Sequence, residues 1–285
     1  MNTISNYLSE IIRMTTAWGY SLVNGPTTWS EVFPDAAGEK QSPVDIKKTE
    51  VKPLNCTTKL TWKYVPENTI DISNPGYCWK VHVKGTGSEL YGGPLKDNYQ
   101  LEQFHCHWGA DDESGSEHRI DGKSYAGEIH LVHWNTKYNS FEQASQHPDG
   151  LAVVAIFLKP GRKHFELDKV VAQLSKVQFK GEKAIFVIPL DPGSLIPPES
   201  GYWTYQGSLT TPPCSECVTW IIFKEPIEVS REQLKAFRKL RCYCRDDTCP
   251  CDQYEGFVKD NFRPPAPLNN REVREYSPTR EICFS

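Results

Sequence analysis

Eight consecutive apolar residues, Leu151–Leu158, lie between Gly150 and Lys159. The run is far shorter than the roughly 18 residues that a membrane-spanning helix requires. It also lacks the polar/apolar alternation of a strand with one wet face, so it predicts a central strand covered on both sides. Around it, prolines and glycines punctuate stretches that do alternate: Lys59–Tyr64, Ile70–Ser73, Trp79–Val83, Tyr99–Trp108, Glu128–Trp134, Ala184–Ile188 and Cys217–Phe223. These read as half-buried strands. Helix signals are fewer. Ser230-Arg-Glu-Gln233 has the form of a capping box, after which Leu234, Phe237 and Leu240 share one face; a second candidate runs from about Leu167 to Ser175. Many strands with few peripheral helices predict an α+β, mainly β fold: a single domain on one large sheet. The chain has 285 residues, no internal repeat and no flexible linker, which fits one domain.

A formal net charge of -4 leaves no global positive field to hold a polyanion, so neither nucleic acid nor a membrane surface is expected as a partner. The first 25 residues hold one base, Arg13, one acid, Glu10, and no continuous apolar block of secretory type. Export is not expected, and a mitochondrial leader of atypical composition in residues 1–17 stays open as an alternative. Without export the 10 cysteines should be mostly thiols in a reducing, cytoplasmic setting. Four of them form Cys242-Tyr-Cys244 and Cys249-Pro-Cys251. A zinc cluster or a local disulfide is conceivable there, but two closely repeated C-x-C units differ from the usual C-x2-4-C pairs, which favours ordinary surface thiols.

The chemistry is concentrated in Gln103-Phe-His-Cys-His-Trp-Gly109 and Glu128-Ile-His-Leu-Val-His-Trp-Asn135. Strand side chains alternate, so Gln103, His105 and His107 project together while Phe104, Cys106 and Trp108 enter the layer behind. On the other segment Glu128, His130 and Val132 share a face, and His133 points the opposite way. If the two strands are neighbours, His105, His107 and His130 form a three-nitrogen set for Zn2+ with an open fourth position, which is the catalytic pattern of zinc coordination. Gln103 and Glu128 each stand two residues before a histidine, where they can accept from its second ring nitrogen; His107 would need a backbone carbonyl. Histidines on a strand are more often decoration than ligands. The repeated polar partner makes metal the better account here. Bound zinc would supply a hydroxide nucleophile, whereas acyl transfer by Ser or Cys finds no G-x-S-x-G elbow and no evident Cys-His-Asn setting.

With these segments stand Trp18-Gly-Tyr20, Asn24-Gly-Pro26, Gln41-Ser-Pro-Val-Asp45, Gly115-Ser-Glu-His118, Ser208-Leu-Thr-Thr-Pro-Pro213, Glu216-Cys-Val-Thr-Trp220 and Asn261-Phe-Arg-Pro264. In that order they resemble the α-class carbonic anhydrases, the animal cytosolic type in particular. The resemblance implies a domain over residues 18–274, flanked by an extension, 1–17, and a tail, 275–285. It implies a twisted, mostly antiparallel sheet of about ten strands with one zinc ion at the base of a cleft, and reversible hydration of carbon dioxide to bicarbonate and a proton by zinc-bound hydroxide. It assigns His105, His107 and His130 to the metal, and Gln103, Glu128 and the Asn261 carbonyl to their outer nitrogens. Thr210 would accept the hydrogen bond of the nucleophile, and Glu117 would receive the proton of the Thr210 hydroxyl. Thr211 would contact substrate, and Val132, Val153, Leu209, Val218 and Trp220 would form an apolar wall for carbon dioxide. A monomer is expected.

The pattern also departs from the family. Tyr77 stands where the fastest members carry a proton-relaying histidine, and a phenol with an ordinary pKa near 10 relays protons poorly at neutral pH. Slower, more buffer-dependent turnover follows as an expectation. Lys80 occupies a polar position of the cleft wall. Cys214 takes one place of the cysteine pair found in secreted members, while the other, near Ala36, is not cysteine. The competing readings are a non-catalytic binding protein on the same fold, which the intact ligand set opposes, and a zinc esterase, expected only as a side activity.

Overall fold

The computed structural model describes residues 18–198 and 200–278. The expectations for residues 1–17 and for the end of the tail lie outside them. A 13-stranded sheet dominates, larger than the expected ten or so because two- and three-residue strands such as Lys52–Pro53 extend its rim. Most neighbours are antiparallel; Leu151–Pro160 runs parallel to Val218–Phe223 and antiparallel to Gly127–Asn135. The mainly β, single-domain expectation holds.

Leu151–Leu158 is buried along its whole length. Its residues alternate between two cores. Ala152, Val154, Ile156 and Leu158 join Phe104, Cys106, Trp108, Ile129 and Leu131 on one face. Leu151, Val153, Ala155 and Phe157 join Val132, Val218 and Trp220 on the other. Eight apolar side chains in a row are thus explained by a two-sided position, each of the six larger ones stabilising the fold by about 1.5–3 kcal/mol before entropy is counted.

Two helices cover the first face. Phe165–Leu174 buries Leu167, Val170 and Leu174, and Arg231–Phe237 buries Leu234 and Phe237. The capping box forms: Ser230 Oγ accepts from the Gln233 amide at 3.3 Å and Gln233 Oε1 from the Ser230 amide at 3.0 Å. The Gln233 side-chain amide then donates to the His164 carbonyl and to Asp168, tying the two helices together.

Several boundaries shift. The strand expected over Ala184–Ile188 is Lys183–Ile185, at the sheet edge, and Val187 and Ile188 are exposed. Tyr202–Gly207 is a strand absent from the sequence reading, although its aromatic residues between Gly201 and Gly207 carry a strand signal. Arg274–Tyr276 pairs with Tyr202–Thr204, so the sheet continues past residue 274. This strand lies one in from the edge, between Tyr202–Thr204 and Lys52–Pro53, and its three residues, Arg274, Glu275 and Tyr276, are too few and too polar to show an apolar alternation.

Candidate metal centre

The two histidine strands, Tyr99–Trp108 and Gly127–Asn135, are antiparallel neighbours, and His105 pairs directly with His130. Directly opposed residues share a face, so the pairing brings His107 to the same place from two residues along. The ring centroids lie 5.1 Å apart for His105 and His107, 5.3 Å for His105 and His130, and 4.7 Å for His107 and His130. One nitrogen from each ring falls within 4.8 Å of the others.

The opposite nitrogens are held by acceptors. His105 Nδ1 meets Gln103 Oε1 at 2.8 Å, His107 Nδ1 the Asn261 carbonyl at 2.7 Å, and His130 Nε2 Glu128 Oε1 at 2.7 Å. An acceptor-only partner requires the imidazole nitrogen facing it to carry the proton. The lone pairs therefore sit on Nε2 of His105 and His107 and on Nδ1 of His130. His107 Nε2 is buried without a hydrogen-bond partner among the described residues, an arrangement that costs free energy unless something binds there. Burial also holds all three rings below the usual histidine range, His107 at about 3, so they stay neutral and able to ligate. These residues fit a zinc ion. A second cluster, His118, Glu128 and His130, is equally close, but its atoms are already paired with one another at 2.7 Å.

Glu128 is anchored on every side. Its Oε2 accepts from the amides of Glu117 and His118, and its Oε1 from the rings of His118 and His130. Burial opposes its charge, yet the His118 ring, through charge and hydrogen bond, and the His130 ring keep it well below the ordinary carboxylate range. His118 in turn meets the Tyr205 hydroxyl at 2.7 Å, and Tyr205 donates to Ser42 Oγ at 2.8 Å. In the sequence His118 is only the last residue of Gly115-Ser-Glu-His118; its place in this chain depends on Tyr205, carried by the distant strand Tyr202–Gly207.

Glu117 is fully buried. Its Oε1 accepts from the Arg263 amide at 2.7 Å, and its Oε2, without a hydrogen-bond partner, lies 3.4 Å from His107 Nε2. Burial, then the nearby Glu128, raise its pKa, and the Thr210 hydroxyl acts the other way as a neighbouring donor. Arg263, which the sequence shows only as part of Asn261-Phe-Arg-Pro264, has a role the motif does not reveal: its guanidinium donates to Gln41 Oε1 and to the Ser42 carbonyl, locking the loop after Asn261 against the loop before Val44. Thr210 is buried and Thr211 half-buried. Their loop is pinned where the Trp220 indole donates to the Ser208 carbonyl at 3.0 Å.

The five residues expected to form an apolar wall come together. Val132 pairs with Val153, Val153 with Trp220, and Leu151 with Val218 on adjacent strands. Leu209 packs against this cluster, and the Trp220 ring meets the His130 ring edge-on at 4.8 Å. The Tyr77 ring packs against Trp18 at a tilt of 39°, centroids 4.4 Å apart, and burial raises its hydroxyl pKa. Cys242, Cys244, Cys249 and Cys251 are free thiols, the last three exposed, and no metal-binding group among the described residues includes them.

The family model for eukaryotic-type carbonic anhydrase matches residues 24–277. Carbonic anhydrase 3 of Sus scrofa is 44% identical over 263 residues, covering 92% of this chain and 98% of the relative. Carbonic anhydrase 3 of Homo sapiens is 43% identical with the same coverage. Carbonic anhydrase 1 of Monodelphis domestica is 44% identical, covering 90% of this chain and 97% of its own.

Proposed function

The chain belongs to the eukaryotic-type carbonic anhydrase family, and on that premise we propose that its cleft hydrates carbon dioxide reversibly to bicarbonate and a proton with one zinc ion held by His105, His107 and His130. The observation that carries this reading is the buried, unpartnered Nε2 of His107 beside two further imidazoles whose outer nitrogens are occupied. Bound there, zinc would supply a nucleophile at neutral pH by lowering the pKa of water to about 7, the value established for carbonic anhydrase.

The protein's own groups orient the reaction. Gln103, Asn261 and Glu128 fix the three tautomers. Thr210 Oγ1 would accept the hydrogen bond of the nucleophilic oxygen and donate its own O–H to Glu117, whose carboxylate accepts from the Arg263 amide. A threonine that donates in one direction must accept in the other, so the lone pair of the nucleophile is turned toward the substrate. Carbon dioxide is small and uncharged. Val132, Val153, Leu209, Val218 and Trp220 receive it without a charged clamp, and Thr211 contacts the oxyanion formed. Tyr77 occupies the relay position without the pKa for the task, so buffer carries the proton away.

The working unit is a monomer in the cytoplasm, its domain extending from residue 18 through Tyr276. Among the described residues no helix is long and apolar enough to cross a membrane. The test is stoichiometric metal analysis with stopped-flow CO2 hydration before and after chelation. One zinc per chain, with activity lost on removal and restored on return, is expected; activity indifferent to chelation overturns the reading.

A further inference from the structure

Lys80 stands directly across the register from His105. Its ammonium is part-buried, and its hydrogen-bond partner is the Tyr77 hydroxyl at 3.3 Å. No ion pair to Lys80 occurs among the described residues; Asp71, on the next strand, is occupied by His82 at 2.5 Å and Lys84 at 3.8 Å. A cation withdrawn from water without a counter-charge loses solvation that a neutral phenol restores only in part. Tyr77 is itself held in place: its ring packs tilted against Trp18 and its carbonyl accepts from the Asn261 side chain at 2.7 Å.

The phenol oxygen accepts from the ammonium, which leaves the phenol proton and the remaining ammonium protons free to donate. Two neighbouring donors, the charged one on the residue paired with His105, match the two oxygens of a planar oxyanion. We propose that Lys80 and Tyr77 form an anion subsite in the cleft that retains the bicarbonate product. The proposal rests on the reading of the cleft given above and adds a consequence: product inhibition set by these two side chains.

The test measures the affinity of the zinc-loaded full chain for bicarbonate, as the product-inhibition constant in CO2 hydration, and for nitrate, an unreactive planar oxyanion, by calorimetric titration. In Lys80→Met both affinities should fall about tenfold, the size expected for a lost charge-assisted hydrogen bond. Lys80→Arg should restore most of the loss. Tyr77→Phe removes a donor and no charge, so a several-fold loss marks direct contact. Affinities within twofold of wild type in Lys80→Met overturn the proposal. So does a loss in Lys80→Met with none in Tyr77→Phe, which assigns the effect to a long-range field. Failure of the zinc-loaded wild type to hydrate CO2 would remove the underlying reading, and nitrate titration, which needs no turnover, still decides the subsite.

Discussion

Glu128 Oε1 lies 2.7 Å from His130 Nε2, two residues along the same strand, and the same oxygen lies 2.7 Å from His118 Nδ1. A single carboxylate therefore sets the tautomer of a metal-facing ring and links it to a buried chain ending at Ser42.

Glu128→Gln replaces a charged acceptor with a neutral amide that also presents donors to the two rings. Zinc affinity, measured by competition with a chromophoric chelator, should fall about 10- to 100-fold, the range for partners of metal-bound histidines. Unchanged affinity would show that this contact is merely structural.

His107→Ala removes the imidazole whose Nε2 is unpartnered. Zinc content should drop below one per chain at equimolar metal, and CO2 hydration by at least about 100-fold. Far-ultraviolet circular dichroism should report an intact sheet, because Phe104, Cys106 and Trp108, which point away from the ring, still anchor the strand in the core.

Tyr77→His places a group with a pKa near 7 at the position proposed for the proton relay. In the wild type, burial raises the phenol further above its ordinary value, so hydration should climb with imidazole-type buffer concentration. The variant should flatten that dependence and gain up to about 100-fold in low buffer, the lower bound for a well-placed general base. A wild-type rate indifferent to buffer would contradict the assignment.

His133 is buried on the opposite face from the metal-binding rings. Its Nδ1 donates to the Ala152 carbonyl at 3.1 Å and its Nε2 meets the Tyr64 hydroxyl at 2.9 Å. Burial lowers its pKa from 6.5 to about 4. Below the unfolded value the denatured chain binds a proton that the native chain refuses, so stability falls as pH drops from 6.5 toward about 4. The contribution is about 1.4 kcal/mol per pH unit across that window. Urea unfolding of zinc-free protein should show this slope reduced in His133→Gln; identical slopes would refute it.

Much of this was legible in the sequence because strand geometry has a period of two. Alternation alone put His105 with His107, separated His130 from His133, and set Gln103 and Glu128 beside their histidines; the unbroken run Leu151–Leu158 announced its two-sided burial. Alternation says nothing about which strands adjoin or in what register. That His105 faces both His130 and Lys80 follows from the pairing of three strands, and pairing is decided by how two cores close on opposite faces of the sheet. The Asn261 carbonyl, the Arg263 amide on Glu117 and the His118–Tyr205–Ser42 chain likewise come from segments far apart in sequence. They meet because each buried polar group must find its partner wherever packing has placed one.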